Sequence, residues 1–307
     1  MNWKQKLILA KIETTYGVDP VPTGATNAIL ATNASIAPME GQDVNRNLER
    51  PYFGSSRSVP VGLYATLSFD VELQGSGAAG TAPTWGPLLR ACGVAQTINA
   101  GVSTVYNPIT ASPESVALHF HIDSDRHVLL GSRGTCTFAL NAQNLPYIKF
   151  VFTGLFSQPS AQAMPTPTYI APEPGVATSV NTPTFTIGGT AMILRSFELM
   201  LNGKIEPRML IGSETIRLID RMETAKAQVE AVALATYNPW TTATAGTIKA
   251  ISLVHGTVAG KIATLSLPYC TQRRLTGFAI EQDIAEWPLE FDVNPSAGND
   301  QWSLTLT

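Results

Sequence analysis

In ATLSFDVELQ, residues 65–74, apolar and polar side chains alternate at every position. A strand sends successive side chains to opposite faces, so Leu67, Phe69, Val71 and Leu73 share one face and Thr66, Ser68, Asp70 and Glu72 the other. The same period of two, punctuated by Gly, Pro, Asn and Asp, returns along the chain. It appears in VALHFHI (116–122), TFALN (137–141), YIKFVFTGLF (147–156), AISLVHG (250–256), KIATLSL (261–267) and QWSLTLT (301–307). Helical spacing is scarce. TWGPLLRACG (84–93) predicts one short helix, with Thr84 as cap, Pro87 in the first turn and Gly93 at the left-handed stop. NPWTTATAG (238–246) predicts a second, weaker one. The expected fold class is all-β.

Between the two strand-rich stretches lies a segment holding Pro159, Pro165, Pro167, Pro172, Pro174 and Pro183. A central strand or helix does not accept that density, so residues 158–183 read as an extended linker. The halves on either side look alike. Gly54-Ser55 leads into the long strand ending in VEL, and Gly212-Ser213 leads into AKAQVEAVAL, where Ala225, Ala227, Val229 and Ala231 keep the spacing of two. TFALN and YIKFVFTG close the first half, as EFDVN (290–294) and QWSLTLT close the second. The expectation is a duplicated β-domain: an arm over 1–27, a first domain over 28–157, the linker, and a second domain over 184–307.

The chain has 307 residues, 44% of them hydrophobic, and only 14% charged. Average soluble domains carry about 25% charged residues, and a surface short of charge suits a surface held against something else. A net charge of −3 provides no global basic field for holding nucleic acid. There is no apolar run long enough for a spanning helix, and the apolar stretch between Lys6 and Lys11 is too short for a secretory signal. Cys92, Cys136 and Cys270 fit no metal or redox spacing and are expected to be buried thiols.

Few motifs offer chemistry. HFHIDSDRH (119–127) could bring His119, His121 and Asp123 to one face for zinc or iron, but a strand and turn with an outward polar face is the simpler reading. GTVAGK (256–261) is one residue short of a phosphate-binding loop and lacks its hydroxyl, so a glycine-rich hairpin is expected. Arg273-Arg274 reads as a solvated turn. No GxSxG elbow is present and no cysteine has a nearby histidine. No catalytic residue, metal site or cofactor is expected.

The segment KIETTYGVDPVPTGATNAILATNASIAPMEG, from residue 11, resembles the N-terminus of tail tube proteins, also called major tail proteins, of long-tailed bacteriophages. The matching residues are Glu13, Tyr16-Gly17, Asp19-Pro20, Pro22, Gly24 and Asn27-Ala28-Ile29. The resemblance implies a β-sandwich or barrel subunit that forms rings, stacked into a hollow tube through which DNA passes. Two tandem copies of the domain, each with one short helix, imply three chains per pseudo-sixfold ring. A polar, turn-rich arm before the first domain suits a segment that orders only on a neighbouring subunit. The implied partners are other copies of the chain and the tape measure, tail terminator and distal tail proteins. The place is the virion tail, assembled in the host cytoplasm, with no membrane and no specific DNA binding.

Two charged segments are candidates for contacts between rings: residues 40–60, with Arg46, Glu49 and Arg50, and residues 203–221, with Glu206 and Arg208. A channel that DNA must traverse should not be lined densely with cations. Asp70, Glu72 and Glu230 are therefore candidates for its wall. A β-rich adhesion or receptor-binding module is the alternative from another class.

Overall fold

A computed structural model describes residues 2–169 and 175–307. The first half contains β1 (Lys6–Ile12), α1 (Gly24–Asn27), β2 (Ala28–Ile29), β3 (Thr32–Asn45), β4 (Ser58–Glu72), α2 (Gly86–Arg90), β5 (Val94–Asn99), β6 (Ser103–Pro108), β7 (Val116–Ile122), β8 (Asp125–Asn141), β9 (Tyr147–Phe156) and β10 (Ser160–Ala161). The second contains β11 (Thr184–Ile187), β12 (Thr190–Ala191), β13 (Leu194–Met200), β14 (Gly203–Leu210), β15 (Ser213–Arg221), β16 (Thr224–Glu230), α3 (Pro239–Ala245), β17 (Ile248–His255), β18 (Ala263–Gln272), β19 (Ala279–Glu281), β20 (Ile284–Val293) and β21 (Ser303–Leu306). The protein is all-β, with the open sheets of tandem β-sandwich halves.

The alternation in β4 works as its sequence predicts. Ala65, Leu67, Phe69 and Val71 are buried, and the residues between them are not. Phe69 meets Phe150 and Phe152 of β9 with ring centroids 5.8 and 6.0 Å apart. The two predicted helices form. Asn238 caps α3 by accepting from the Thr241 amide, and Gly246 ends it with φ at 59°. α2 differs in its start: Trp85, not Thr84, occupies the cap and makes no side-chain bond there.

The strand pairings show one plan used twice. Neighbours in the first half run β1-β7-β8-β9-β4-β3, all antiparallel. Neighbours in the second run β11-β17-β18-β20-β16-β13. These orders are identical when each set is numbered along the chain, and each half places its helix between the third and fourth of these strands. Val71-Glu72-Leu73 thereby corresponds to Val229-Glu230-Ala231. The strand that corresponds to β9 is β20, which contains the EFDVN stretch, so the expected match of EFDVN with TFALN is corrected.

The halves are joined rather than separate. β8 carries β13 on its edge, with Thr137 opposite Met200 and Asn141 opposite Ser196. β6 pairs with β21. The turn at 256–261, a glycine-rich turn between strands, receives a bond from Gly77 N–H to the Gly260 carbonyl. One buried core runs through both halves, with Phe138 edge-on to Trp302 at 5.8 Å.

Two further expectations change. Within the expected arm, 1–27, the described residues 2–27 do not order only on a neighbour: β1 pairs along its whole length with β7, and Leu7, Ile8, Leu9 and Ala10 are buried. A strand covered on both faces has no polar side and so shows no alternation. The linker is extended but anchored. Thr168 N–H bonds Gly24, and Ala177 is buried and exchanges bonds with Gln143 and Asn144; residues 170–174 of that linker lie outside the described residues.

Candidate assembly surfaces

The segment that resembles the phage family folds into a clasp. The Glu13 carboxylate, buried, accepts from the Gly17 amide at 2.9 Å, the Gly131 amide at 2.6 Å and the Ser115 hydroxyl at 2.7 Å. Tyr16 Oη accepts from the Ile216 amide of β15 at 2.6 Å. Arg133 lies over the Tyr16 ring at 5.2 Å and donates to the Ile216 carbonyl at 2.6 Å. Burial raises the Tyr16 pKa, so the phenol stays protonated at neutral pH. Asp19 meets His119 Nε2 at 3.0 Å. The turn-rich stretch thus ties β1, β7 and β8 of the first half to a hairpin of the second.

That hairpin, β14–β15, is one of the two predicted contact segments. Its base is held at Ile216 and at Arg221, whose Nη1 donates to the Gly93 carbonyl at 2.8 Å. Its tip, Leu210 and Ile211, is exposed. Glu206 is half-buried and pairs with Lys204 at 3.8 Å within its own strand, while Arg208 is exposed opposite Thr215. The other segment is the far end of the β3–β4 hairpin. Residues 41–60 are exposed apart from Ser56, including Arg46, Glu49 and Arg50. Apolar Val44, Leu48, Tyr52, Phe53 and Val59 are exposed there as well. Met209 of β14 approaches Gly62 of β4, so the two hairpins, one from each half, come close at that point. Exposed apolar groups gathered in this way mark a contact surface more than a solvated loop.

Asp70, Glu72 and Glu230 share one face of one sheet. Residues directly opposite in an antiparallel pair point the same way. One row across the sheet reads Glu72, Tyr147, Ala139, Glu198, Lys226, Glu290, and the next Asp70, Lys149, Thr137, Met200, Thr224, Asp292. Glu230 stands four residues beyond Lys226 along β16, opposite Glu286. All three candidates are half-buried and lie on the side away from Phe69 and Phe291. Asp70 accepts from the Asn33 amide at 2.8 Å. Glu286 is held by Arg195 and Gln228; the Arg195 bonds lower its pKa first, so it stays ionised. Arg273 is exposed, as expected, but is also engaged. It pairs with Asp292 and Glu290 of this same face. On these rows and their ion pairs, carboxylates outnumber Lys149, Lys226, Arg195 and Arg273.

The histidines face inward, against the expected polar outer face. His119 and His121 are buried on β7 opposite Leu9 and Leu7. Burial lowers the His119 pKa despite Asp19, and burial, aided by His119 and Arg126, lowers that of His121 to about 4. Among the described residues, no three metal-ligating side chains come together. Cys92, Cys136 and Cys270 are free and buried.

Sequence reasoning missed the bare strand edge at β19, where Phe278, Ile280 and Ile284 are exposed beside Trp240. The family model for phage tail tube proteins matches residues 3–300. No curated protein matches the chain. With nearly its whole length covered, the chain belongs to the phage tail tube protein family, a family of structural virion proteins of the tail.

Proposed function

We propose that this chain assembles, three copies to a ring with pseudo-sixfold symmetry, into stacked rings that form the hollow tube through which phage DNA passes. One observation carries the reading. A single sheet, ordered β3-β4-β9-β8-β13-β16-β20-β19, runs through both halves, and among the described residues each end strand has a strand partner on one side only. Unpaired strand edges invite further chains, and a head-to-tail contact repeated around an axis closes into a ring. Two halves with one strand order supply two equivalent wall segments per chain. The reading takes residues 28–157 and 184–307 as those segments, joined by 158–183.

The carboxylate-rich face, with Asp70, Glu72 and Glu230, is read as the channel wall. Six to ten phosphate contacts would hold DNA strongly at low salt, whereas a net negative face leaves a water layer between wall and backbone. The two hairpins are read as the contacts between rings, with Arg46, Glu49, Arg50, Glu206 and Arg208 at their polar rim. Exposed ion pairs contribute about 0–1 kcal/mol each, so these set register while the apolar tips supply strength. Tail assembly in the host cytoplasm, with the tape measure, terminator and distal tail proteins at the tube's interior and ends, follows from this role, and no catalytic step is assigned.

Electron micrographs of the concentrated protein test the reading. Rings or fibres of constant diameter are expected. A small oligomer of fixed size at every concentration would instead fit an adhesion module.

A further inference from the structure

The two halves differ at one matching place. In the first, TFALN (137–141) at the end of β8 has β9 on one side, with Ala139 opposite Tyr147, and β13 on the other, with Ala139 opposite Glu198. In the second, GFAIE (277–281) ends the corresponding run, with Ala279 opposite Glu286 of β20. Nothing within the described chain pairs with its other side. The consequence shows in burial. Phe138 and Leu140 are 3% and 4% exposed, but their counterparts Phe278 and Ile280 are 57% and 72% exposed. These are the side chains that the next half covers in the first case.

The strand that would cover them exists at the far edge of the same sheet. Among the described residues β4 is the strand that pairs with β3, and Lys6 Nζ donates to the Ala34 carbonyl at 2.9 Å. Since Glu72 corresponds to Glu230, Ser35 opposite Ser68 corresponds to Glu198 opposite Lys226. Both strands slip register just before this point, between Thr32 and Ser35 and between Leu194 and Ser196. The outer side of residues 33–37, which no strand among the described residues covers, is therefore the equivalent of the β13 edge that TFALN occupies.

We propose that residues 277–281 of one chain pair antiparallel with residues 33–37 of a second copy, with Ala279 opposite Ser35, so that the joint between copies repeats the joint between halves. Phe278 and Ile280 then enter the neighbour's core rim as Phe138 and Leu140 enter their own. In that register Phe278 faces Ile36 and Ile280 faces Ala34, as Phe138 faces Leu199 and Leu140 faces Phe197 within the chain. This rests on the ring reading above and adds its strand register.

Cysteine pairing tests it. Directly opposite antiparallel residues have Cα atoms about 4.5–5.5 Å apart, within the span of a disulfide. The full-length double variant Ala279→Cys/Ser35→Cys, assembled and oxidised, is expected to give a covalent ladder that ends at the ring size. Either single variant gives none, and the pair Ala279→Cys/Ala37→Cys, one step off on the same face, gives several-fold less. Equal ladders from both pairs, or none where micrographs show that the double variant forms rings, would overturn the register. Should the cysteines block assembly, Phe278→Asp decides: it lowers the melting temperature of the lone chain only slightly, because the mostly exposed side chain loses its contact with Trp240 there, and is expected to abolish rings. Rings formed by Phe278→Asp would overturn the proposal. Wild-type protein without rings or tubes would count against the ring reading itself.

Discussion

Tyr16→Phe removes one oxygen from the clasp and nothing else. In the wild-type protein Tyr16 Oη accepts from the Ile216 amide at 2.6 Å, and Ile216 is fully buried. The variant loses a hydrogen bond worth about 1 kcal/mol net and leaves a buried amide without a partner, a penalty of about 1–3 kcal/mol. The aromatic ring stays, so its contact with Arg133 and the packing on Gly131 persist. The Arg133 bond to the Ile216 carbonyl also persists and limits the loss to the lower half of that range. We expect a destabilisation of about 1–2 kcal/mol, concentrated in β15. At about 2–4 °C per kcal/mol for a chain of this order of size, the melting temperature falls by a few degrees. Amide exchange read by mass spectrometry should show faster exchange across residues 213–221 and little change in β4 or β9. Unchanged exchange at Ile216 together with an unchanged melting temperature would refute the idea that the clasp holds the hairpin.

Three other outcomes follow from the same physics. Glu13→Ala removes the acceptor for two amides and a hydroxyl, so a loss of about 3–5 kcal/mol is expected in denaturant melts; a loss below 1 kcal/mol would contradict the buried geometry. Gly75→Ala would place a Cβ 2.1 Å from the Gly260 carbonyl oxygen, so the joint between halves must shift, at about 1–3 kcal/mol, measured against Gly54→Ala, whose Cβ meets nothing. His121, with its pKa lowered to about 4, takes up a proton more readily unfolded than folded. Stability is therefore complete above about pH 6.5 and falls towards pH 4, by about 3 kcal/mol in all. His121→Leu should flatten that part of the pH profile, and a profile unchanged by the substitution would exclude His121 as its source.

Much of the fold was legible because half-buried strands write their exposure as alternation. β4 and β9 are of this kind, and so is the repeat carried by Ala225, Ala227 and Val229. β1 was not legible, since Leu7 to Ala10 are covered on both faces and a continuous apolar run of four carries no period. His119 and His121 misled for the opposite reason: alternate polar residues imply an outward face unless a later segment covers it, here β1 and the clasp. The joint at β8 and β13 is a contact between residues about 60 apart, which local pattern does not encode. The likeness of TFALN to GFAIE was available in the sequence but is displaced by the irregular stretch at 273–278. Among site residues, the place of Asp70, Glu72 and Glu230 on the polar faces of their own strands followed from alternation, whereas their sharing of one sheet face and the inward turn of Glu13, Tyr16 and Asp19 required the folded chain.

A cryo-EM reconstruction of the assembled tube tests the central claim most directly. The account predicts a wall that looks sixfold but is truly threefold, with three 32.8-kDa chains in each ring and the Asp70–Glu72–Glu230 face lining the channel. Six chains in each ring, or those three carboxylates on the outer surface, would contradict it.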